Sequence, residues 1–169
     1  MASSWPASTR LGRSRRAGAD DEPRQRRYLR SVTNLSTLSA IHDDYELLDA
    51  EERYRLLIDL GRELEPMPDA LKTDATKVRG CSASVWVYPT RLNDGRLHFL
   101  ADSNAAITKG IVALVLAAVQ DRSPKDIAAT DIAAQLAPFE LGRQLSSNRT
   151  QGVPNMIALI HETAERLAK

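Results

Sequence analysis

Val85-Trp86-Val87-Tyr88, Asn93-Asp94-Gly95 and Leu97-His98-Phe99-Leu100 follow one another in the middle of the chain. Two runs of β-branched and aromatic residues on either side of an Asn-Asp-Gly turn read as an antiparallel hairpin. Along the first run valines alternate with Trp86 and Tyr88, so one set faces a core and the other is partly exposed. A tight turn centred on Asn93 and Asp94 sets Asp102 opposite Val85 and His98 opposite Pro89. That register brings the loop Asp102-Ser103-Asn104 beside the residues that precede Val85. It leaves His98 several residues along the ladder, as a surface strand residue.

On both sides of the hairpin the pattern turns helical. Asp49 followed by Glu52 is a capping box, and Leu57, Leu60 and Leu64 recur on one face, which predicts a helix over 50–64. Pro66 and Pro68 end it, with a short turn of helix from Asp69 to Leu71. Beyond the hairpin, Asp102, Ser103 and Asn104 offer capping side chains to a helix over 105–120, whose Ile107, Ile111, Leu114 and Ala118 form a buried stripe. Gly110 within that helix predicts close packing against the sheet. Ser123-Pro124 and Thr130-Asp131 start two short helices, and a terminal helix is expected over 154–167 with Ile157, Ile160, Ala164 and Leu167 inward. A small antiparallel sheet packed against helices makes the fold class α+β, in two layers.

The chain's single cysteine lies immediately before the hairpin, in Lys77-Val78-Arg79-Gly80-Cys81-Ser82-Ala83-Ser84. Thiolate is the reactive form of sulfur, and cations beside a partly exposed cysteine raise its population. Lys77 and Arg79 supply such charge, and Gly80 lets the backbone turn and leaves the sulfur open on one side. The alternative is a small buried hydrophobe, the commoner state of a free cysteine. One cysteine excludes an intramolecular disulfide, a Cys-rich zinc site and a complete iron–sulfur ligand set. A cysteine hydrolase would need a histidine base beside the sulfur; His98 is displaced along the ladder, and His42 and His161 lie on segments the sequence does not place. No two histidines have metal-ligand spacing.

With 169 residues, 43% of them hydrophobic and 27% charged, the chain has the composition of a soluble globular domain. No apolar run approaches a membrane span and none near Met1 resembles a signal peptide, so a cytoplasmic protein is expected, with no membrane partner. Charge is unevenly spread. Residues 1–30 hold eight arginines against Asp20, Asp21 and Glu22, a local +5 that leaves −4 for the rest of a chain with net charge +1. Such a segment buries too little to offset its ordering entropy, so residues 1–37 are expected to be a disordered, dispensable Arg-rich extension and 38–169 the folded domain. Without interleaved aromatics the arginines do not read as a nucleic-acid arm.

Four stretches then carry a resemblance. They are Tyr54-Arg55-Leu56-Leu57-Ile58-Asp59-Leu60-Gly61; Val78-Arg79-Gly80-Cys81 with Val85-Trp86; Ala101-Asp102-Ser103-Asn104-Ala105 with Lys109-Gly110; and Leu145-Ser146-Ser147-Asn148-Arg149 with Gly152. In this order and spacing the chain, from about Ile41 to Lys169, resembles the SufE family of sulfur acceptors in iron–sulfur cluster assembly. Where family members commonly carry Gly-Cys-Gln-Ser-Gln and Asp-Ser-Asp, this chain has Gly80-Cys81-Ser82-Ala83-Ser84 and Asp102-Ser103-Asn104.

The resemblance implies a two-layer domain related to NifU-type scaffolds. It implies that Cys81 accepts sulfane sulfur as a persulfide from a SufS-type cysteine desulfurase, stimulates that enzyme and passes the sulfur to a SufBCD scaffold. On this reading the protein is a carrier and not itself an enzyme, and it has no cofactor of its own; pyridoxal phosphate belongs to the desulfurase. A CsdE-type acceptor serving another desulfurase is the near alternative. Arg79, Gly80, Asp102, Ser103, Asn104 and Arg149 are then expected to support the Cys81 loop and its pocket.

Overall fold

In the computed structural model, which describes residues 38–144 and 152–169, the chain enters through α1 (Leu38–Glu46), with Leu38, Ile41 and Tyr45 buried. The expectations for residues 1–37 lie outside the described residues. α2 (Ala50–Arg62) starts at the expected capping box: Asp49 accepts from Glu52 N, and Glu52 accepts from Asp49 N. A 3-10 turn (Asp69–Leu71) follows the two prolines.

β1 (Val85–Arg91) and β2 (Leu97–Ser103) form a two-stranded antiparallel sheet. The expected hairpin is present with its register shifted by one residue: Val85 faces Ser103, Trp86 faces Asp102 and Thr90 faces His98. The cause is the turn, which has three residues rather than two. Leu92 N donates to Arg96 O, Gly95 N donates to Leu92 O, and Gly95 takes φ +87°, a left-handed conformation that completes this loop type. Directly opposed residues share a face, and only this register sets buried Val87 against buried Ala101. The expected one would have put Val87 opposite half-exposed Leu100.

α3 (Ala106–Val119) runs back across the sheet and is buried on most of its surface, Ile107, Ile111, Leu114 and Ala118 included. Gly110 does pack closely, but on α2 rather than on the sheet: a Cβ there would overlap the Leu57 carbonyl. α4 (Pro124–Ala129) and α5 (Ile132–Leu136) begin at Ser123 and Asp131, each accepting a backbone N–H. A 3-10 turn (Ala137–Phe139) and α6 (Leu141–Gln144) follow. α7 (Gly152–Leu167) starts two residues earlier than its sequence pattern suggests, and buries Met156, Ile160 and Ala164, while Ile157 and Leu167 pack at its margin. Val85, Val87, Leu97, Phe99 and Ala101 meet Leu57, Ile111, Leu114, Ile132 and Ile160 in one core, the sheet forming one layer and the helices the other.

Among the described residues no helix is long and apolar enough to cross a membrane.

Candidate functional site

The first residues of β1 pair with more than β2. Val78 N donates to Val85 O and Val87 N to Thr76 O, each at 2.8 Å, so the chain before the cysteine pairs back on β1. Residues 79–84 are thereby closed into a loop with Cys81 near its tip. Two asparagines hold it. At its start, Asn155 Nδ2 of α7 donates to Arg79 O at 2.9 Å. At its end, Asn104 Oδ1 accepts from Ser84 N at 3.0 Å, while Asn104 N donates to Ser84 O at 3.2 Å.

Gly80 takes φ +76°, a conformation that favours glycine, and a Cβ on it would push the Asn155 amide off its bond to the loop. The Cys81 side chain turns inward. Its Sγ lies where a Cβ of Gly152 would be, and it shares a small cavity with Ala83, Val85, Thr108, Ile111 and Met156. The thiol is half-buried, and burial pushes its pKa up. This reverses one expectation: the flanking Lys77 and Arg79 do not favour the thiolate in this conformation, because desolvation is what acts on the sulfur.

The Asp102 loop does lie beside the cysteine loop, with roles different from those expected. Asp102 carries ion pairs to Lys72 and Lys109, at 2.8 and 2.9 Å, and accepts from Ser103 N. Burial alone would raise its pKa, but the two lysines outweigh this and hold the carboxyl below its usual range. The loop was expected to cap α3; instead the N-cap residue is Ala105 and makes no side-chain cap bond. Asn104 is spent on the cysteine loop, and Ser103 Oγ accepts from Ala105 N at 3.3 Å. Arg149 lies outside the described residues.

None of the histidines lines the thiol cavity. His42 packs edge-on against Phe139, and His161 Nε2 is 2.9 Å from Thr130 O. His98 is more than a surface residue, being gripped by Asp121 at Nδ1 and Glu65 at Nε2, at 2.7 and 2.9 Å. Among the described residues no group of three or more His, Cys, Asp or Glu side chains is placed to hold a metal.

Thr108, Gly152, Asn155 and Met156 are site residues that the sequence reading missed. Thr108 left a local signal, a hydroxyl on the buried face of an apolar helix, and Gly152 stood in the resemblance without a role assigned to it.

Fold and site together define an α+β domain that seats one loop-borne thiol in an apolar recess. The family model "SufE: Fe-S metabolism associated domain" matches residues 39–164, and the chain belongs to that family. An uncharacterized SufE-like protein of Rhizobium meliloti is 36% identical over 135 residues, covering 78% of this chain and 96% of that one. The sulfur acceptor protein CsdE of Escherichia coli is 37% identical over 103 residues, 61% of this chain and 70% of CsdE. The solution structure of a hypothetical protein from Thermus thermophilus superposes with a TM-score of 0.64 at 14% identity, covering 78% of this chain and 95% of that one, and so shares the fold.

Proposed function

We propose that this protein is a sulfur acceptor and carrier for iron–sulfur cluster assembly, with Cys81 as the residue that takes and gives up the sulfur. The observation that carries this reading is the seating of Cys81: a thiol at the tip of a loop that is pinned at both ends by single hydrogen-bonding side chains, and sunk into a recess rather than locked in the core. A persulfide is readily lost to reductants and oxidants, so a carrier has to shelter it between partners and expose it on docking.

In the transfer step the Cys81 thiolate attacks the outer sulfur of a cysteine persulfide on the donor. The new Sγ–S bond forms as the donor's S–S bond breaks, and the electron pair leaves as the donor cysteine thiolate. Delivery repeats this exchange with Cys81 as leaving group. Because burial raises the thiol pKa, the free protein is a muted nucleophile, and swinging the loop outward on docking restores the thiolate fraction. A single cysteine adds a safeguard, since no second thiol in the molecule can discharge the sulfur.

The donor we propose is a pyridoxal-phosphate cysteine desulfurase of the SufS type, whose turnover the protein stimulates, and the recipient a SufBCD scaffold in the cytoplasm; the carrier needs no cofactor of its own. The similarity to CsdE supports a second donor, the desulfurase of a Csd-type system. Intact-mass measurement after incubation with desulfurase and cysteine tests the reading. An adduct of ~32 Da on Cys81, removed by dithiothreitol and absent from Cys81→Ser, is the expected result; no adduct under turnover overturns it.

A further inference from the structure

Thr108 is 8% exposed, and its hydroxyl has no hydrogen-bond partner. An unpaired buried hydroxyl is costly and calls for a partner that forms under some condition. Thr108 lines the same cavity as Cys81 and Gly152, whose space for a water-sized group is ≈ 10 Å³, about what one such group occupies. The remaining walls are mainly apolar, and Gly152 opens α7, a helix end that favours negative charge.

We propose that the Thr108 hydroxyl donates a hydrogen bond to the outer sulfur of a Cys81 persulfide sheltered in this cavity. The ligand is a single sulfane sulfur attached to Sγ. An ionised persulfide entering an apolar recess needs a donor there, and Thr108 is a buried donor without other employment. Thr108 is thus a positioning residue for the loaded state and is idle in the unloaded one. The inference deepens the carrier reading and rests on it for its biological setting.

The test loads the full-length protein with inorganic polysulfide and needs no desulfurase. The Cys81 thiolate attacks a polysulfide sulfur, the Sγ–S bond forms, one polysulfide S–S bond breaks and its electron pair leaves with the shortened polysulfide dianion, so no oxidant is required. Alkylation by iodoacetamide is then timed at pH 8 for the loaded and unloaded forms. Loss of one charge-assisted hydrogen bond should make the Thr108→Val persulfide react about tenfold faster, while Thr108→Ser stays close to the parent and the unloaded thiol reacts at an unchanged rate in all three.

Equal persulfide rates in Thr108→Val and parent overturn the proposal, since the hydroxyl then serves only a water. Acceleration of thiol and persulfide alike overturns it too, as does failure of polysulfide to load the folded protein. Thr108→Val should also melt no lower than the parent; a clear drop means that the hydroxyl has an internal partner, and the proposal falls. If the desulfurase loads nothing while polysulfide-loaded protein shows the contrast, the carrier reading fails and the Thr108 hydrogen bond stands.

Discussion

Asn155 on α7 donates through Nδ2 to the carbonyl of Arg79, 76 residues earlier in the chain, at 2.9 Å. This one bond ties the start of the cysteine loop to the helix whose first residue seats the thiol. Asn155→Ala should free that end of the loop at a small stability loss, about 0.5–1 kcal/mol for an exposed bond. Cys81 alkylation by iodoacetamide should quicken several-fold while the melting temperature moves little. An unchanged alkylation rate would show that Asn104 and the strand pairing suffice to hold the loop.

Gly152 sets how deep the sulfur can sit. In Gly152→Ala the new methyl and Sγ claim the same place, so either the thiol is expelled or α7 shifts, at about 1–3 kcal/mol. The expected outcome is an expelled thiol: faster alkylation, with a pH profile moved down toward an ordinary cysteine because the desolvation is relieved. Measuring the alkylation rate from pH 6 to 10 in parent and variant checks this.

Asn104 and Ser103 are adjacent but should separate cleanly on mutation. Asn104 holds both backbone polar groups of Ser84, through its side chain and its own N–H, whereas Ser103 Oγ makes a single 3.3 Å bond within its own turn. Asn104→Ala is expected to lower stability by about 1 kcal/mol and to speed Cys81 alkylation. Ser103→Ala should do neither by more than a few tenths of a kcal/mol. Urea denaturation together with alkylation rates distinguishes the two.

His98 and Asp102 give the domain opposite pH responses. Burial pulls the His98 pKa down, but the Asp121 and Glu65 carboxylates together outweigh it and the net shift is upward. Its contribution is therefore full below the unfolded histidine value of about 6.5 and fades as pH rises through the folded one. Asp102 is held low by Lys72 and Lys109, so its contribution is full above the unfolded aspartate value of about 3.9 and is lost as pH falls through the folded one. The stability gap between parent and His98→Gln, about 1 kcal/mol at pH 6, should shrink toward pH 8.5. The gap for Asp102→Asn should hold across that range and close only in acid.

Much of this was legible along the chain because the signals are local. The Asp49 capping box, the prolines after α2, the Ser123 and Asp131 helix starts and the alternation of Val85 and Val87 with Trp86 and Tyr88 are set by residues a few positions apart, and each appears where expected. Cys81 stood out for the same reason, as a lone thiol behind a glycine. The hairpin register was nearly legible, and failed by one residue because Asn-Asp-Gly suits both a two- and a three-residue loop; the choice belongs to the core, which needs Val87 opposite Ala101.

What the tertiary structure alone decided is the state of the sulfur. Its neighbours in sequence are cations, which argue for thiolate; its neighbours in space are Thr108, Ile111, Gly152 and Met156, which argue for a sheltered thiol. Those groups come from α3 and α7, about 30 and 70 residues further along the chain, and no periodicity records that a glycine at one helix start must leave room for a cysteine in another loop. Charge on flexible flanking side chains is screened by water, whereas desolvation acts only once distant segments pack around the atom, so the fold and not the local sequence sets the thiol's reactivity.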